Sequence, residues 1–449
     1  MPCLPRIAVG TIQREAESQT MLWALMEALR RSGLHVQSFL SQACFPTCQG
    51  LTTVTGLPPR HLDSWLMSPE TCRATFARGA READLALVHG EYDSAFSAGG
   101  PGGRLETLCR WLSLPRLAIL DAARADRRGL PERPARVDGL LLDRVADSRH
   151  FARLATDLEA LWGVPVLGAL ESLPSLRAKL EAVPHGERPP HRLCDELGDH
   201  FTQNWQPEHI WSLAVGREFP SGGEETASIE PAVAKLTVAI AYDEAFNCYF
   251  QDTLDLLELR GASIVDFSPL RDESLPPETD LVYLGCGHPE RYAAALSENH
   301  CMKAALRSHL AAGRRVYAEG GGAAYLCQQM ETPGGELKRM VGIFPAAARL
   351  KRAPGSPTPV EVTLSRPNWL GEPKTRLRGY RNACWEIQPL GHLSRFVAEE
   401  PYRYDLVGSF RAIGSMLHLD FAARPISLDG FFYPRDPQPS FSDPWAAVL

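Results

Sequence analysis

The sequence predicts an α/β protein of two domains. In both halves short apolar runs of strand length alternate with longer segments of helical periodicity, the pattern of a parallel sheet with crossover helices. Between the halves lies Arg217–Pro231, rich in Gly, Pro and Ser and without any periodicity, which reads as a linker. The length, 449 residues, exceeds one ordinary domain.

In the first half, Arg6–Gly10 predicts a buried strand and Thr20–Ser32 a helix, stopped by Gly33. His35–Phe39, Asp84–Val88, Arg116–Leu120, Gly139–Leu142 and Val164–Gly168 predict further strands, and Glu208–Val215 a closing helix. The pattern restarts with a strand at Leu236–Ala241, a helix at Cys248–Arg260 and a strand at Ser263–Phe267. Leu281–Leu284 and Arg315–Ala318 predict strands on either side of a helix at Cys301–Ala312. The last strand breaks at Gly320, Gly321 and Gly322, and Ala323–Met330 predicts a helix. A glycine-rich strand-to-helix turn has the form of a nucleophile elbow, but its tip is Gly320, which has no side chain. The domains are expected at 1–216 and 235–449, with 217–234 between them, and no internal repeat is visible.

Composition narrows the function. A hydrophobic fraction of 44%, with 22% charged residues, is that of a soluble globular protein with sizeable cores. Net charge of -7 and the lack of basic runs argue against nucleic-acid binding. No apolar run is long enough for a membrane span and no signal peptide is recognisable, so a cytoplasmic protein without membrane attachment is expected. The 11 cysteines are scattered and read as mostly buried thiols; the close pair Cys44 and Cys48 lacks a second ligand pair, so no metal site is expected there.

Particular motifs carry a resemblance. Ala241–Phe250, Phe267–Glu273, Tyr283–Glu290, Tyr317–Gly322 and Ser415–Phe421 resemble, in order and spacing, the class I glutamine amidotransferase domain of the cobyrinic acid a,c-diamide synthase family. Leu62–Met67, Leu142–Val145 and Gly163–Gly168 are similar to that family's ATP-dependent synthetase domain, which is related to dethiobiotin synthetase. The resemblance implies a P-loop-NTPase-like parallel sheet followed by a flavodoxin-like amidotransferase domain. It also implies an enzyme that uses ATP, Mg and glutamine to convert tetrapyrrole carboxylates into amides.

The residues that would perform this chemistry are altered. The resemblance puts the nucleophilic cysteine at Gly320, its histidine at His418, and the oxyanion loop at Gly285-Cys286-Gly287, with Cys286 in place of a glycine. Without its partner, His418 is expected to be a vestige. In such a fold the oxyanion loop faces the elbow, so Cys286 stands either as a buried inert thiol or as a displaced nucleophile for His418; a Cys286/His288/His418 metal site is not expected. After the first strand, Gly10-Thr11 leads into Ile12–Thr20 without the P-loop lysine, and Glu15 and Glu17 bring negative charge to the phosphate position.

Other implied positions are changed too. The metal-binding and substrate-binding stretch is replaced around Ala43–Cys48, although Asp63 persists in Leu62–Met67. His89 replaces an acidic residue, with Glu91 and Asp93 either substituting for it at magnesium or lying in a solvated loop. Asp143 replaces the adenine-reading asparagine, and Arg378–Ala383 replaces a histidine-rich motif.

The expected function is that of a degenerate homologue that has lost glutaminase and ATPase chemistry. It would bind a tetrapyrrole of the cobyrinic acid or sirohydrochlorin type, or serve as a subunit beside an intact amidotransferase paralogue or in a homodimer. A working tetrapyrrole amidotransferase, using glutamine or free ammonia, and a purely structural interaction protein are the alternatives. The aromatic-rich tail, Phe431–Trp445, is expected to cover a partner or groove, or to pack on its own domain.

Overall fold

The computed structural model describes residues 4–13, 17–45, 50–92, 101–134, 136–184, 187–220, 231–353, 355–424 and 428–434. The chain divides into two compact units, Met1–Thr226 and Ala227–Leu449.

The first unit is built on a seven-stranded parallel sheet. Its strands are β1 (Arg6–Thr11), β2 (Val36–Leu40), β3 (Arg60–His61), β4 (Leu85–Glu91), β5 (Arg116–Asp121), β6 (Gly139–Val145) and β7 (Val166–Glu171), in the order β3-β2-β4-β1-β5-β6-β7. Strands covered on both faces need continuous apolar runs. β1 and β5 are buried along their whole length, and the core gathers Ile7, Val9, Leu117, Ile119 and Leu141 with the helix Gln19–Arg31. The parallel register sets Thr11 beside Glu91 and Asp121 beside Asp143, so the predicted functional positions share the sheet's C-terminal edge. Open α/β sheets bind ligands at that edge. At the predicted linker's start, Arg217 pairs with Asp138, Arg6 donates to the Glu218 carbonyl, and Phe219 stacks on Phe76 at 5.7 Å.

The second unit is centred on a six-stranded sheet ordered β10-β8-β11-β13-β21-β20, made of β8 (Leu236–Ala241), β10 (Ala262–Phe267), β11 (Leu281–Leu284), β13 (Arg315–Glu319), β20 (Leu406–Gly408) and β21 (Ala412–Ser415). Only the β20–β21 pair is antiparallel. Separate apolar clusters cover the sheet, one containing Val282, Val316 and Ala318, the other Tyr283, Tyr317 and Ile413. This is the alternation expected of a strand whose side chains point to opposite faces. Among the described residues no helix is long and apolar enough to cross a membrane.

Two predicted helices are corrected. The helix after the elbow spans Gly321–Leu326, and the chain then forms strand β14 (Cys327–Glu331) instead of continuing to Met330. β14 lies between β15 (Leu337–Arg339) and β16 (Phe344–Leu350), and that ladder prevails over a helix too short to be stable alone. The helix predicted from Cys248 begins at Gln251, because Phe246–Cys248 forms strand β9, paired antiparallel with β12 (Cys286–Gly287). That ladder sets Cys248 opposite Cys286. Of the tail, Phe431 packs among Tyr317, Trp369 and Phe421, whereas residues 435–445 lie outside the described residues.

Candidate functional site

The elbow keeps its backbone form without a nucleophile. β13 delivers the buried Glu319, and Gly320 turns the chain at φ 49°, ψ -111° into the helix Gly321–Leu326. A side chain is strained in that conformation, so glycine relieves the turn. The space above it is filled from two sides. A Cβ built at Gly320 would lie 2.9 Å from Cys286 Sγ and 2.9 Å from Asn382 Nδ2. Cys286 comes from β12 and is buried, and its sulfur lies 3.0 Å from His418 Nδ1. His418 ends β22 (Leu417–His418), which pairs with β18 (Arg376–Arg381) and is buried as well. The elbow thus carries no thiol of its own, while the fold brings Cys286 to His418.

The electrostatics of this pair are those of neutral groups. Burial pushes the Cys286 thiol well above its usual range and lowers His418 to about 4. Asn382 reinforces the neutral histidine. Its Oδ1 accepts the backbone N–H groups of Cys384 and Trp385 at 2.8 and 3.0 Å, so its amide nitrogen faces His418 Nε2 at 3.3 Å. Nε2 therefore accepts, and the ring proton sits on Nδ1, towards Cys286. A general base would need a free lone pair at Nδ1. The amides near the sulfur are committed too: Gly321 N–H points to it, and Gly285 N–H donates to Tyr249 Oη at 3.0 Å. Gly285 and Gly287 are glycines for packing reasons, since a Cβ would meet the Tyr249 ring at 2.5 Å or the Ala245 carbonyl at 2.1 Å.

Glu319 is the third ionisable group here. Its carboxylate, Cys286 Sγ and a His418 ring nitrogen offer donor atoms within 4.8 Å of one another, and all these residues are buried. Burial raises Glu319 to about 8, although the Tyr317 hydroxyl donates to Oε1 at 2.6 Å. His288, grouped with Cys286 and His418 in the sequence reading, has its Nδ1 3.0 Å from Glu290 Oε1 instead, and Glu319 joins the thiol and histidine in its place.

At the corresponding edge of the first unit, the helix start where the resemblance led a phosphate to be expected is occupied by a carboxylate. Glu17 precedes the helix Gln19–Arg31 and accepts from Thr20 N–H at 2.8 Å and Thr20 Oγ1 at 2.9 Å. It thus satisfies a donor that a helix N-terminus would otherwise offer an anion. Arg177, from the helix Pro174–Glu181, reaches the same carboxylate at 2.8 Å and pairs on its other side with Asp143. Asp143 is fully buried and its Oδ2 has no hydrogen-bond partner among the described residues; burial raises its pKa to about 7, against the pull of Arg177. Gln13 bridges to β5, accepting from Asp121 N–H at 2.6 Å. Glu15 lies outside the described residues. A nucleotide phosphate does not fit at this helix start as it stands, because Glu17 already holds the donors that would receive it.

The other predicted positions do not join this cluster in one way. Gly10 and Thr11 belong to β1 itself, and a Cβ at Gly10 would meet the Gly90 carbonyl at 2.8 Å. Asp63 is buried as a loop organiser, accepting from the N–H groups of Ala43, Trp65 and Leu66. Glu91 ends β4 and is exposed; Asp93 and Cys48 lie outside the described residues. Asn382, Glu319 and Arg177 escaped the sequence reading. Asn382 sits within the replaced Arg378–Ala383 motif, the one available signal, whereas nothing near Arg177 marks it in the sequence.

Comparison with known proteins places the chain. Residues 237–382 match the CobB/CobQ-like glutamine amidotransferase domain. The cobyrinate a,c-diamide synthase of Syntrophotalea carbinolica is 30% identical over 95% of this chain and 97% of its own length. This chain belongs to the cobyrinate a,c-diamide synthase family. Other relatives are the cobyrinate a,c-diamide synthase of Salmonella typhimurium, 28% identical over 90% of this chain and 93% of that one, and the hydrogenobyrinate a,c-diamide synthase of Stutzerimonas stutzeri, 31% identical over 92% and 95%. Gly320, Cys286, Asn382 and His418 all lie in the amidotransferase-like unit of this family member.

Proposed function

We propose that this cobyrinate a,c-diamide synthase homologue performs neither glutamine hydrolysis nor ATP hydrolysis, and acts as a tetrapyrrole-binding protein or as a subunit beside an active amidotransferase. The observation that carries the reading is the Glu17 carboxylate on the start of the helix Gln19–Arg31, held there by Thr20 and Arg177. A bound nucleotide phosphate would meet a negative charge already taking those donors. The elbow supports the same reading: no side chain at Gly320, a neutral histidine, and neighbouring amides bound within the protein. The names of the relatives point to cobyrinic or hydrogenobyrinic acid as the class of ligand.

The test is titration of the full chain with cobyrinic acid and with sirohydrochlorin, followed by the macrocycle's absorption band. Saturation near micromolar concentration, about -8 kcal/mol, is expected with one of them. Absence of a shift with either would reject tetrapyrrole binding by the isolated chain.

A second reading keeps glutaminase activity through Cys286. It rests on the 3.0 Å approach of its sulfur to His418. Ammonia release from glutamine that disappears in Cys286→Ser would select it.

A further inference from the structure

We infer that Cys286, Glu319 and His418 form a binding site for one divalent transition-metal ion of the zinc class, with the thiolate, one carboxylate oxygen and a ring nitrogen as ligands. This goes beyond the proposed function and stands whether or not the chain binds a tetrapyrrole.

The argument starts from the donor atoms. Cysteine sulfur, carboxylate oxygen and imidazole nitrogen are the standard protein ligands of zinc. Here one of each converges within 4.8 Å, from β12, β13 and β22, which are fixed in separate ladders. A tetrahedral ion with ligand bonds of about 2.0 to 2.3 Å separates its donors by roughly 3.5 Å, and the sulfur and Nδ1 already stand 3.0 Å apart. Charge also balances. A dication with one thiolate, one carboxylate and a neutral imidazole is a neutral assembly, the form in which buried charges are tolerated. Loading releases two protons, one from the Cys286 thiol and one from the Glu319 carboxyl, and no electron is exchanged.

The surroundings supply supporting contacts of the kind metal ligands use. The Tyr317 hydroxyl donates to Glu319 Oε1 at 2.6 Å, as does Leu419 N–H at 3.4 Å, which fixes the carboxylate. Glycine at 320 is required, because a Cβ there would fall 2.9 Å from the sulfur. One contact opposes the ion. Asn382 presents its amide nitrogen to Nε2, whereas a histidine bound through Nδ1 carries its proton on Nε2. Asn382→Asp would keep an oxygen for the amides of Cys384 and Trp385 and offer the other to Nε2–H.

The experiment is a titration of the full, reduced, metal-free chain with Co²⁺, read by the thiolate-to-cobalt charge-transfer band and the visible bands of a four-coordinate ion. The expected result is a saturable signal from one ion per chain, displaced by Zn²⁺. The charge-transfer band is lost in Cys286→Ser, and binding weakens at least about tenfold in His418→Ala and Glu319→Gln. Asn382→Asp tightens binding about tenfold, a change that a merely structural role for the amide would not produce. Should Cys286→Ser or His418→Ala fail to fold, the Asn382→Asp comparison still reads the site. No saturable band in the wild-type chain, or a band unchanged by Cys286→Ser, overturns the assignment.

Discussion

The helix start at the first unit's sheet edge and the elbow of the second unit are both filled by the protein's own groups, by different physical routes. At the first, a protein carboxylate stands in for the ligand: Glu17 takes the helix start and Arg177 ties it to Asp143. The helix start is closed with charge. At the second, glycine stands at the elbow and cysteine in the facing loop. The two positions are coupled, because a Cβ at residue 320 and the sulfur of Cys286 claim overlapping space. A phosphate cradle depends on charge and open N–H groups, so one carboxylate suffices to close it. A nucleophile depends on position and protonation, so a neutral thiol near a neutral histidine is not made one by proximity alone.

The strongest way to break the comparison is to remove the charge at the first site. Arg177→Ala leaves the buried Asp143 with Arg144 at 3.9 Å in place of its direct partner and is expected to cost about 3 kcal/mol in urea unfolding. A cost under about 1 kcal/mol, the range of exposed pairs, would show that the network does not hold this edge.

At the second site the coupling itself can be tested. Gly320→Cys puts a Cβ against Cys286 and Asn382 at a positive φ, an expected loss of about 1 to 3 kcal/mol without any gain of glutaminase activity. Adding Cys286→Gly to it should recover part of that stability, since the clash is removed. Equal melting temperatures of the single and double variants would contradict the shared space.

Asp143 gives a pH signature. Its folded pKa of about 7 lies above the unfolded value of about 3.9, so the folded state holds the extra proton between them. Its contribution is fully present below about pH 4 and is lost as pH rises towards 7. Comparing the stability of wild type and Asp143→Asn across that window should show the variant with a less negative slope. An identical slope would mean the carboxyl is ionised throughout.

The smallest effect is expected at Glu17. Glu17→Gln weakens the pair with Arg177 and the bond to Thr20, at about 1 kcal/mol. It should not create ATP binding, because no lysine is supplied.

Much of this was legible in the sequence. Strand ends such as Leu236–Ala241 and Leu281–Leu284 agree to the residue, because apolar runs buried on both faces leave little choice. Gly320 at the elbow and Cys286 in the facing loop were readable from the two motifs, as was a carboxylate, Glu17, just before the first helix. The rest depended on through-space partners. Arg177 reaches Glu17 across 160 residues and Asn382 reaches His418 across 36, and neither lies in an intact motif. Cys327–Glu331 escaped because its strand is decided by β15 and β16, which lie later in the chain.

The most direct test of the central claim is one incubation of the purified full chain with glutamine, ATP, magnesium and cobyrinic acid, analysed for glutamate and ADP by liquid chromatography. Two cradles filled from within predict neither product above the rate without protein. Sustained release of either one, abolished by Cys286→Ser for glutamate or by Arg177→Ala for ADP, would contradict the account.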